Sequence, residues 1–494
     1  MTLRTDVMTG LRWTAGARFL TQLITWAITL VVIRILSPSD YGLLSMATVF
    51  VAFLMILSDF GLGFAVIQRT EIDLLTLRKV FGAVVIVHGS AAVLLVVAAP
   101  LIASFFAEPR VEPIVRVLAL QFVVAAFAVI PDAQLQRRME FRRRSLLDLS
   151  GAIVSSVATL VLALAGKGVW ALVAGSLLTQ TWRTIGLNSI APFGYWPLFT
   201  FGGLRPLMKF GWRLIASQVL WFFFTQIDII IAGKWLGKEL VGFYAIAMHL
   251  ASLPNQRIAG IINQVAFPAF ARIQDDIDAV GRHLLLGIRI LSFFAFPILW
   301  GISSVSPEIV VVILGPKWIP STLPLLIIGL VMPVRMVANF VPNAIQGIGR
   351  SDILLTNAIF AAFIMPAAFL VGVNWGLRGL SIAWLVTAPL LFLQTMMRSL
   401  PPIDLRLRDV AKAMTPSASA GVLMYVAVIA TREVVPTAQN GVLNLCVLIS
   451  AGATAYFVAS LIVNRRGTRE ALNMIGSIAT TRRRGRTPSK QDES

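Results

Sequence analysis

The sequence predicts an all-α integral membrane protein with about 14 transmembrane helices. Its mean hydropathy is +0.83, and 57% of its 494 residues are apolar whereas 13% are charged. Apolar stretches of about 20 residues, the length that an α-helix needs to cross the hydrocarbon core, fill the chain almost from end to end. No segment between Gly10 and Asn464 is long and polar enough to fold as a soluble domain.

The predicted spans follow one another with short connectors. The first begins after Arg4 and Arg12, is too long for the apolar region of a signal peptide, and lacks a small-residue cleavage site. The predicted spans are residues 13–36, 43–67, 81–106, 113–133, 147–166, 169–190, 211–233, 240–267, 285–314, 321–347, 353–373, 377–396, 411–430 and 441–464.

Basic residues divide sharply between alternate connectors. One set of connectors, together with both termini, carries 27 of the 42 Lys and Arg residues, and the other set carries nine. Because cytoplasmic loops of membrane proteins are enriched in Lys and Arg, both termini are predicted to be cytoplasmic and the protein to lie in a bacterial inner membrane. The net charge of +19 therefore reflects topology, and nucleic acid is not an expected partner.

The chain also repeats itself after 200 residues. The shift aligns Leu20 with Leu220 and Gly42 with Gly242 without a gap. Parallel repeats of this kind occur in transporters. We therefore predict two pseudo-symmetric six-helix lobes and two C-terminal helices. The predicted domains are an N-lobe at 1–200, a C-lobe at 201–400, helices 13 and 14 within 401–464, and a basic cytoplasmic tail at 465–494.

Six arginines remain inside the predicted spans, where a charge costs about 2.5 kcal/mol or more. Arg183 and Arg213 lie near cytoplasmic helix ends and can reach the lipid headgroups. The other four lie deeper, and they are Arg18, Arg257, Arg289 and Arg335. Since a guanidinium stays ionised and binds phosphate oxygens in pairs, these four are candidates for holding a phosphate or diphosphate group.

Amide side chains accompany two of these arginines. Asn255 and Gln256 precede Arg257 directly and follow Pro254. The tenth span carries Pro333 and Pro342 together with three amides on one helix face, which are Asn339, Asn343 and Gln346. Broken, amide-rich helices are typical of transporter binding sites. The alternative interpretation is polar contacts between helices, with arginines that reach the interface.

Two acids lie within predicted spans. Asp228 is surrounded by apolar residues and is a candidate for binding a coupling ion or closing a gate, with a structural ion pair as an equal competitor. Asp59 precedes the glycines at 61 and 63, and a capping or pairing role is favoured for it over coupling.

Catalytic and metal-binding patterns are absent from the sequence. The single cysteine, Cys446, excludes an intramolecular disulfide, and the three histidines are far apart. No nucleophile elbow, P-loop or zinc-protease motif occurs, and the predicted external connectors are only about 2 to 12 residues long. The sequence therefore predicts neither an enzyme nor a bound metal or cofactor.

Several strings resemble polysaccharide repeat-unit flippases. They are Arg34 to Leu43 (RILSPSDYGL), Ser58 to Gly61 leading to Arg69, Phe267 to Asp276 (FPAFARIQDD), and Gly315 to Trp318 (GPKW). The resemblance is to the Wzx type of the MATE-like multidrug/oligosaccharidyl-lipid/polysaccharide exporter superfamily, in the branch similar to colanic acid and succinoglycan exporters. It covers Gly10 to about Asn464.

The resemblance implies a fold, a substrate and a driving force. The implied fold is fourteen helices in two lobes around a partly cationic cavity. The implied substrate is an undecaprenyl-diphosphate-linked oligosaccharide, moved to the periplasmic leaflet by alternating access that a proton or sodium gradient drives. Expected partners are membrane lipids and the polysaccharide polymerase and co-polymerase.

Three other functions remain open at this point. A multidrug or organic-cation antiporter of the same superfamily is disfavoured because an arginine-rich cavity would repel cations. A flippase for the peptidoglycan lipid precursor would share the diphosphate headgroup. A membrane transferase or polymerase is disfavoured by the short external connectors.

Overall fold

The structure is a computed structural model that describes residues 21–58, 73–200, 202, 205–434 and 441–470. Within these ranges the side chains of residues 141, 205–218, 220, 221, 224 and 257–265 are not described. The described part of the chain contains no β-strand. This confirms the predicted all-α class.

Fifteen helices are labelled in chain order. Those before Arg205 are α1 (Thr21–Ile35), α2 (Pro38–Ser58), α3 (Leu74–Phe106), α4 (Val111–Leu118), α5 (Leu120–Ala126), α6 (Val129–Arg137), α7 (Phe141–Leu164) and α8 (Val169–Ile190). Those that follow are α9 (Arg205–Arg272), α10 (Ile277–Ser304), α11 (Thr322–Gly347), α12 (Ser351–Gly372), α13 (Gly376–Ser399), α14 (Leu407–Val434) and α15 (Gly441–Val463). A π-helix, Ile309–Leu314, and a 3-10 helix, Pro316–Ser321, precede α11.

The described residues include eight helical segments that are long and apolar enough to cross a membrane. A ninth arises if Val111–Ala126 and Val129–Arg137, bent by 44°, count as one span. The protein is thus a multi-pass membrane protein, and the predicted count of fourteen spans is not confirmed. Helix α8, for example, is not among the eight, because polar residues such as Gln180, Arg183 and Asn188 lower its hydropathy.

The interruptions of the long helices differ from the prediction. Helix α9 contains two helices that meet at Gly237, whose φ of 78° and ψ of 172° are accessible mainly to glycine. By contrast, α9 stays helical through Pro254, and α11 stays helical through Pro333 and Pro342. The breaks expected at these prolines are absent. A proline removes one backbone hydrogen bond, and packing of the flanking turns is sufficient to keep the helix continuous.

The described residues group into two compact units. Unit 1 comprises the described residues within Met1–Ile246, Ile313–Trp318 and Ala362–Leu377. Unit 2 comprises the described residues within Ala247–Val312, Ile319–Ala361 and Arg378–Ser494. The lobe and tail boundaries expected from the sequence remain predictions.

In unit 1, two helix starts cross with their backbones in direct contact. A Cβ added to Gly42 would overlap the carbonyl oxygen of Lys238, and a Cβ added to Gly242 would overlap the carbonyl oxygen of Pro38. Pro38 begins α2, and Lys238 follows the kink in α9. The residues of each contact are exchanged by the 200-residue shift. The two halves of the repeat therefore contact each other at equivalent positions. Glycine is required at both positions because no side chain fits.

A second contact in unit 1 involves the Gly315 to Trp318 string. The Lys317 ammonium donates to the Ile35 carbonyl oxygen at 3.0 Å, and the Trp318 indole N–H donates to the Ile33 carbonyl oxygen at 3.0 Å. Both acceptors belong to the last turn of α1, where carbonyls lack partners within the helix. Trp318 is fully buried and meets the Tyr41 ring edge to face at 5.7 Å. These motif residues therefore act as a structural clasp.

Asp40 connects the start of α2 to the start of α8. Its Oδ2 accepts hydrogen bonds from the Ser37 backbone N–H and hydroxyl, and its Oδ1 accepts one from the Val169 backbone N–H at 2.9 Å. One carboxylate thus caps two helix N-termini, where the helix dipole favours negative charge.

Unit 2 contains a helix cluster built on α10. The Trp300 indole donates to the Leu330 carbonyl oxygen of α11 at 2.9 Å, and the Ser303 hydroxyl donates to the Leu326 carbonyl oxygen at 2.8 Å. In addition, the Tyr456 hydroxyl of α15 donates to the Phe293 carbonyl oxygen at 2.8 Å. Polar side chains thus bond backbone oxygens across helices, as is common inside membranes.

We predict that Gly42→Ala destabilises the protein by about 1–3 kcal/mol, because the added methyl group forces two backbones apart. Gly242→Ala should have a similar effect, since it faces the reciprocal contact. The measurement is thermal unfolding of the purified protein in detergent. The matched control is Gly89→Ala in α3, where no atom lies within 4 Å of the added Cβ. Equal unfolding temperatures for Gly42→Ala and Gly89→Ala would contradict the proposed close contact.

Candidate functional site

Arg335 lies in the middle of α11 and stacks on an aromatic ring. Its guanidinium carbon is 3.8 Å from the ring centroid of Trp384, which belongs to α13 and is 2% exposed. A cation over the face of an indole is stabilised by the ring quadrupole, and the effect grows where water is excluded. Stacking also fixes the plane of the guanidinium. The N–H donors of a guanidinium lie in that plane, and the Nη1 donor of Arg335 is directed to the Met332 sulfur at 3.9 Å.

The three candidate amides of α11 lie beyond Arg335 along the helix. Asn339 and Asn343 are half-buried, whereas Gln346 is exposed. The Asn343 side-chain amide donates to the Phe340 carbonyl oxygen at 3.0 Å, within its own helix. Spacing of four residues places Arg335, Asn339 and Asn343 on one face of α11.

Helix α9 carries the other amide pair. The Oδ1 atom of Asn255 is buried and accepts no hydrogen bond from the described residues. Gln256 is exposed, and its Nε2 donates to the Ser252 hydroxyl at 3.2 Å. The Arg257 side chain lies outside the described residues. A buried amide oxygen without a donor is costly, so Asn255 offers an acceptor for a ligand hydroxyl or a water.

Arg289 lies on α10 and is held by a carboxylate from beyond the last span. Its Nε and Nη2 donate to the two carboxylate oxygens of Glu470 at 2.9 and 3.0 Å. The side chains of Arg289 and Glu470 are 18% and 19% exposed. This is a two-pronged, charge-assisted pair of the kind that guanidinium groups also form with phosphate.

Asp228 lies in unit 1 and is 2% exposed. Its Oδ2 accepts a hydrogen bond from the Tyr244 hydroxyl at 2.7 Å, and its Oδ1 accepts one from the Ile229 backbone N–H at 2.8 Å. Both Asp228 and Tyr244 lie in α9, on opposite sides of the Gly237 kink. A change in the charge of Asp228 would therefore act on the contact that joins the two parts of this helix.

The remaining predicted residues, Arg18 and Asp59, lie outside the described residues. Seven of the candidate binding residues have described side chains, and all seven belong to unit 2. Three helices carry them: α9 has Asn255 and Gln256, α10 has Arg289, and α11 has Arg335, Asn339, Asn343 and Gln346. Their participation in one binding site remains a prediction.

Three residues in these contacts were not anticipated from the sequence, and they are Trp384, Tyr244 and Glu470. Trp384 and Tyr244 look like ordinary apolar residues of a span. Glu470 is the only acid between Glu433 and Asp492, and this isolation is the one signal that could have identified it. Within the part of the chain that the structure describes, no group of three or more His, Cys, Asp or Glu side chains could hold a metal ion.

Comparisons with known proteins agree with this architecture. The chain is 27% identical to the lipopolysaccharide biosynthesis protein WzxC of Escherichia coli K12 over 392 residues, which are 78% of this chain and 79% of that protein. It is 25% identical to the succinoglycan biosynthesis transport protein ExoT of Rhizobium meliloti 1021 over 356 residues, 71% of each chain.

Among solved structures, the lipid II flippase MurJ in an inward closed conformation has a similar fold. Its TM-score is 0.72 at 14% sequence identity, over 92% of this chain and 99% of that chain. A family model described as "Polysaccharide biosynthesis protein" matches residues 31–323, which is more than half of the sequence. The chain therefore belongs to the polysaccharide biosynthesis protein family.

Proposed function

We propose that this protein is a flippase that moves an undecaprenyl-diphosphate-linked oligosaccharide repeat unit across the bacterial inner membrane for exopolysaccharide export. The observation that carries the proposal is the Arg335 guanidinium stacked on the buried Trp384 inside a membrane-spanning helix. A charged side chain inside a membrane span is a functional-site hypothesis by default, and the N–H donors of a guanidinium suit the oxygens of an anionic ligand. The family, and the similarity to the lipopolysaccharide biosynthesis protein WzxC and the succinoglycan biosynthesis transport protein ExoT, support this substrate class.

The chemistry of the candidate residues fits the two parts of such a substrate. Guanidinium groups at Arg335, Arg289, Arg257 and Arg18 would hold the diphosphate. The amides of α9 and α11 would form hydrogen bonds with sugar hydroxyls, for which a buried acceptor such as Asn255 Oδ1 is suited. Because a cationic drug would be repelled by these arginines, the same residues argue against a multidrug antiporter.

The orientation follows from the distribution of basic residues. Both termini would be cytoplasmic, with the lipid-linked unit entering from the cytoplasmic leaflet. Polysaccharide polymerase and co-polymerase proteins would act on the unit after its transfer, and are the protein partners we propose.

A cation gradient would drive transport through Asp228. The buried carboxylate accepts a hydrogen bond from the Tyr244 hydroxyl, and these two residues lie on opposite sides of the Gly237 kink. Binding of a proton or a sodium ion would change the charge at this contact and hence the relative stability of two arrangements of α9, which is the requirement for coupling. Asp59 is the second, less favoured candidate for this role.

The function is tested by deleting the gene in its host and extracting the polyprenyl-linked sugars together with the secreted polymer. We expect loss of polymer and accumulation of one intact lipid-linked repeat unit in the cytoplasmic leaflet. Sensitivity to drugs with unchanged polymer would indicate an antiporter instead. Loss of viability in every genetic background would indicate the peptidoglycan precursor as substrate, and unpolymerised units on the periplasmic side would indicate an enzyme.

The Arg335 stack is tested with one substitution of Arg335 and two of Trp384. We expect Arg335→Lys to raise the substrate concentration for half-maximal flux. The lysine ammonium keeps the positive charge but cannot donate two parallel hydrogen bonds to a phosphate group. Trp384→Leu should raise the same quantity roughly 2- to 30-fold, the equivalent of a cation–π contact of about 0.5–2 kcal/mol, and Trp384→Phe should restore most of the loss. The measurement is flux of lipid-linked oligosaccharide in proteoliposomes.

A matched control separates binding from loss of core packing in this experiment. Trp318→Leu also removes a fully buried tryptophan, but Trp318 lies in the structural clasp of unit 1. It should lower the unfolding temperature without changing the half-maximal concentration. If Trp384→Leu behaves in the same way as Trp318→Leu, the stack has no role in binding.

The role of Asp228 is tested with Asp228→Asn, which preserves volume and can still accept from Tyr244 but cannot be charged. We expect flux to decrease at least about tenfold and to become independent of an imposed proton or sodium gradient, since a charge-dependent equilibrium is removed. Tyr244→Phe keeps the carboxylate and should retain dependence on the gradient at a lower rate. Gradient-dependent flux in Asp228→Asn would instead assign Asp228 a structural role.

A further inference from the structure

Glu470 occupies a position where two arginines converge. Besides the bidentate contact with Arg289, its Oε1 accepts a hydrogen bond from the Nε atom of Arg466 at 3.2 Å. Arg289 is largely buried, whereas the Arg466 side chain is 77% exposed. One carboxylate is thus enclosed by a buried guanidinium on a membrane-spanning helix and an exposed guanidinium on the segment that follows α15.

The segment that carries Glu470 is held in place by buried contacts. The Asn464 side-chain amide donates to the Ser417 hydroxyl of α14 at 2.9 Å, and its Oδ1 accepts from the Gly467 backbone N–H at 3.2 Å. The Thr468 hydroxyl donates to the Asn464 carbonyl oxygen at 2.9 Å. Asn464 and Thr468 are 6% and 4% exposed. The approach of Glu470 to Arg289 is therefore fixed by packing and is not an incidental surface pair.

The carboxylate of Glu470 uses the same donors that a phosphate would use. Two parallel N–H···O bonds from a guanidinium fork match two oxygens of a carboxylate or of a phosphate equally well. A second guanidinium beside the first suits the higher charge of phosphate better than that of a single carboxylate. Glu470 and a phosphate group cannot occupy these donors together.

We propose that Arg289 and Arg466 form an anion-binding site for a phosphate or diphosphate group, and that Glu470 is its internal competitor. The carboxylate fills the site in the absence of ligand and leaves Arg289 when an anionic headgroup binds. Displacement would release the contact between the segment 464–470 and α10. The assignment of the ligand to the transported lipid rests on the proposed function, whereas the competition between Glu470 and an anion does not.

The test is the affinity of the purified full-length protein, in phosphatidylcholine nanodiscs, for inorganic pyrophosphate and for farnesyl diphosphate. We expect Glu470→Gln to bind at least one of these probes about tenfold more tightly than the unsubstituted protein, because the competing charge is removed while the side-chain shape is kept. Tighter binding of pyrophosphate would indicate recognition of the phosphates alone. Tighter binding of farnesyl diphosphate only would indicate a headgroup presented from the membrane.

Two further variants make the outcome decisive. Glu308→Gln is the matched control, since Glu308 forms an equivalent bidentate pair with Arg432 at 2.8 Å in the same unit, and it should leave both affinities unchanged. Arg289→Gln combined with Glu470→Gln should lose the increase in affinity. The inference is overturned if Glu470→Gln binds both probes equally or more weakly, which would make Glu470 a positioning residue, or if the increase persists without Arg289.

Failure of this inference is distinguishable from failure of the proposed function. Tighter anion binding by Glu470→Gln in a protein that moves no lipid-linked oligosaccharide would retain the anion site and reject the flippase. Normal flux with no effect of Glu470→Gln on either affinity would do the reverse.

Discussion

Ion pairs and an aromatic stack compensate the charges of three arginines on the described helices of this protein. Arg289 is paired with Glu470, Arg335 lies on the face of Trp384, and Arg183 is paired with Asp132. A guanidinium in hydrocarbon is stable only with such a partner, and this requirement determines which helices must approach one another. The kind of partner also matters. A carboxylate occupies the N–H donors of a guanidinium, whereas an aromatic ring stabilises its face and fixes the plane in which those donors lie.

The two units differ in which close contacts and which candidate binding residues they contain. Unit 1 contains contacts that involve backbone atoms directly: the glycine crossing of Gly42 and Gly242, and the clasp that Lys317 and Trp318 form with the end of α1. Unit 2 contains all seven of the candidate binding residues whose side chains are described. Two of the strings that resemble flippase motifs, Arg34 to Leu43 and Gly315 to Trp318, therefore have structural roles here, and the polar residues proposed to bind substrate lie outside all four strings. This division agrees with a scaffold that can carry different substrate contacts in related proteins.

The sequence was sufficient for the membrane class, because hydropathy is a sum over about 20 neighbouring residues and does not depend on distant contacts. It also predicted the 200-residue repeat, of which the exchange of Gly42 with Gly242 is a local instance. Helix continuity was predicted less well. Pro254, Pro333 and Pro342 do not end their helices, whereas Gly237 interrupts α9. A proline removes one hydrogen bond that tertiary packing can compensate, while a positive φ at glycine changes the chain direction directly.

By itself the sequence determined that the chain spans a membrane repeatedly, that its basic residues concentrate in alternate predicted connectors and the termini, and that arginines and amides lie within apolar helices. Only the tertiary structure decided the partners of those residues. Arg289 and Glu470 are 181 positions apart, and Trp384 is a residue that hydropathy classes with any other apolar position. The reason is physical: the cost of a buried charge is local and can be computed from its neighbours in sequence, whereas its compensation comes from whichever distant side chain the packing of helices brings within a few ångströms.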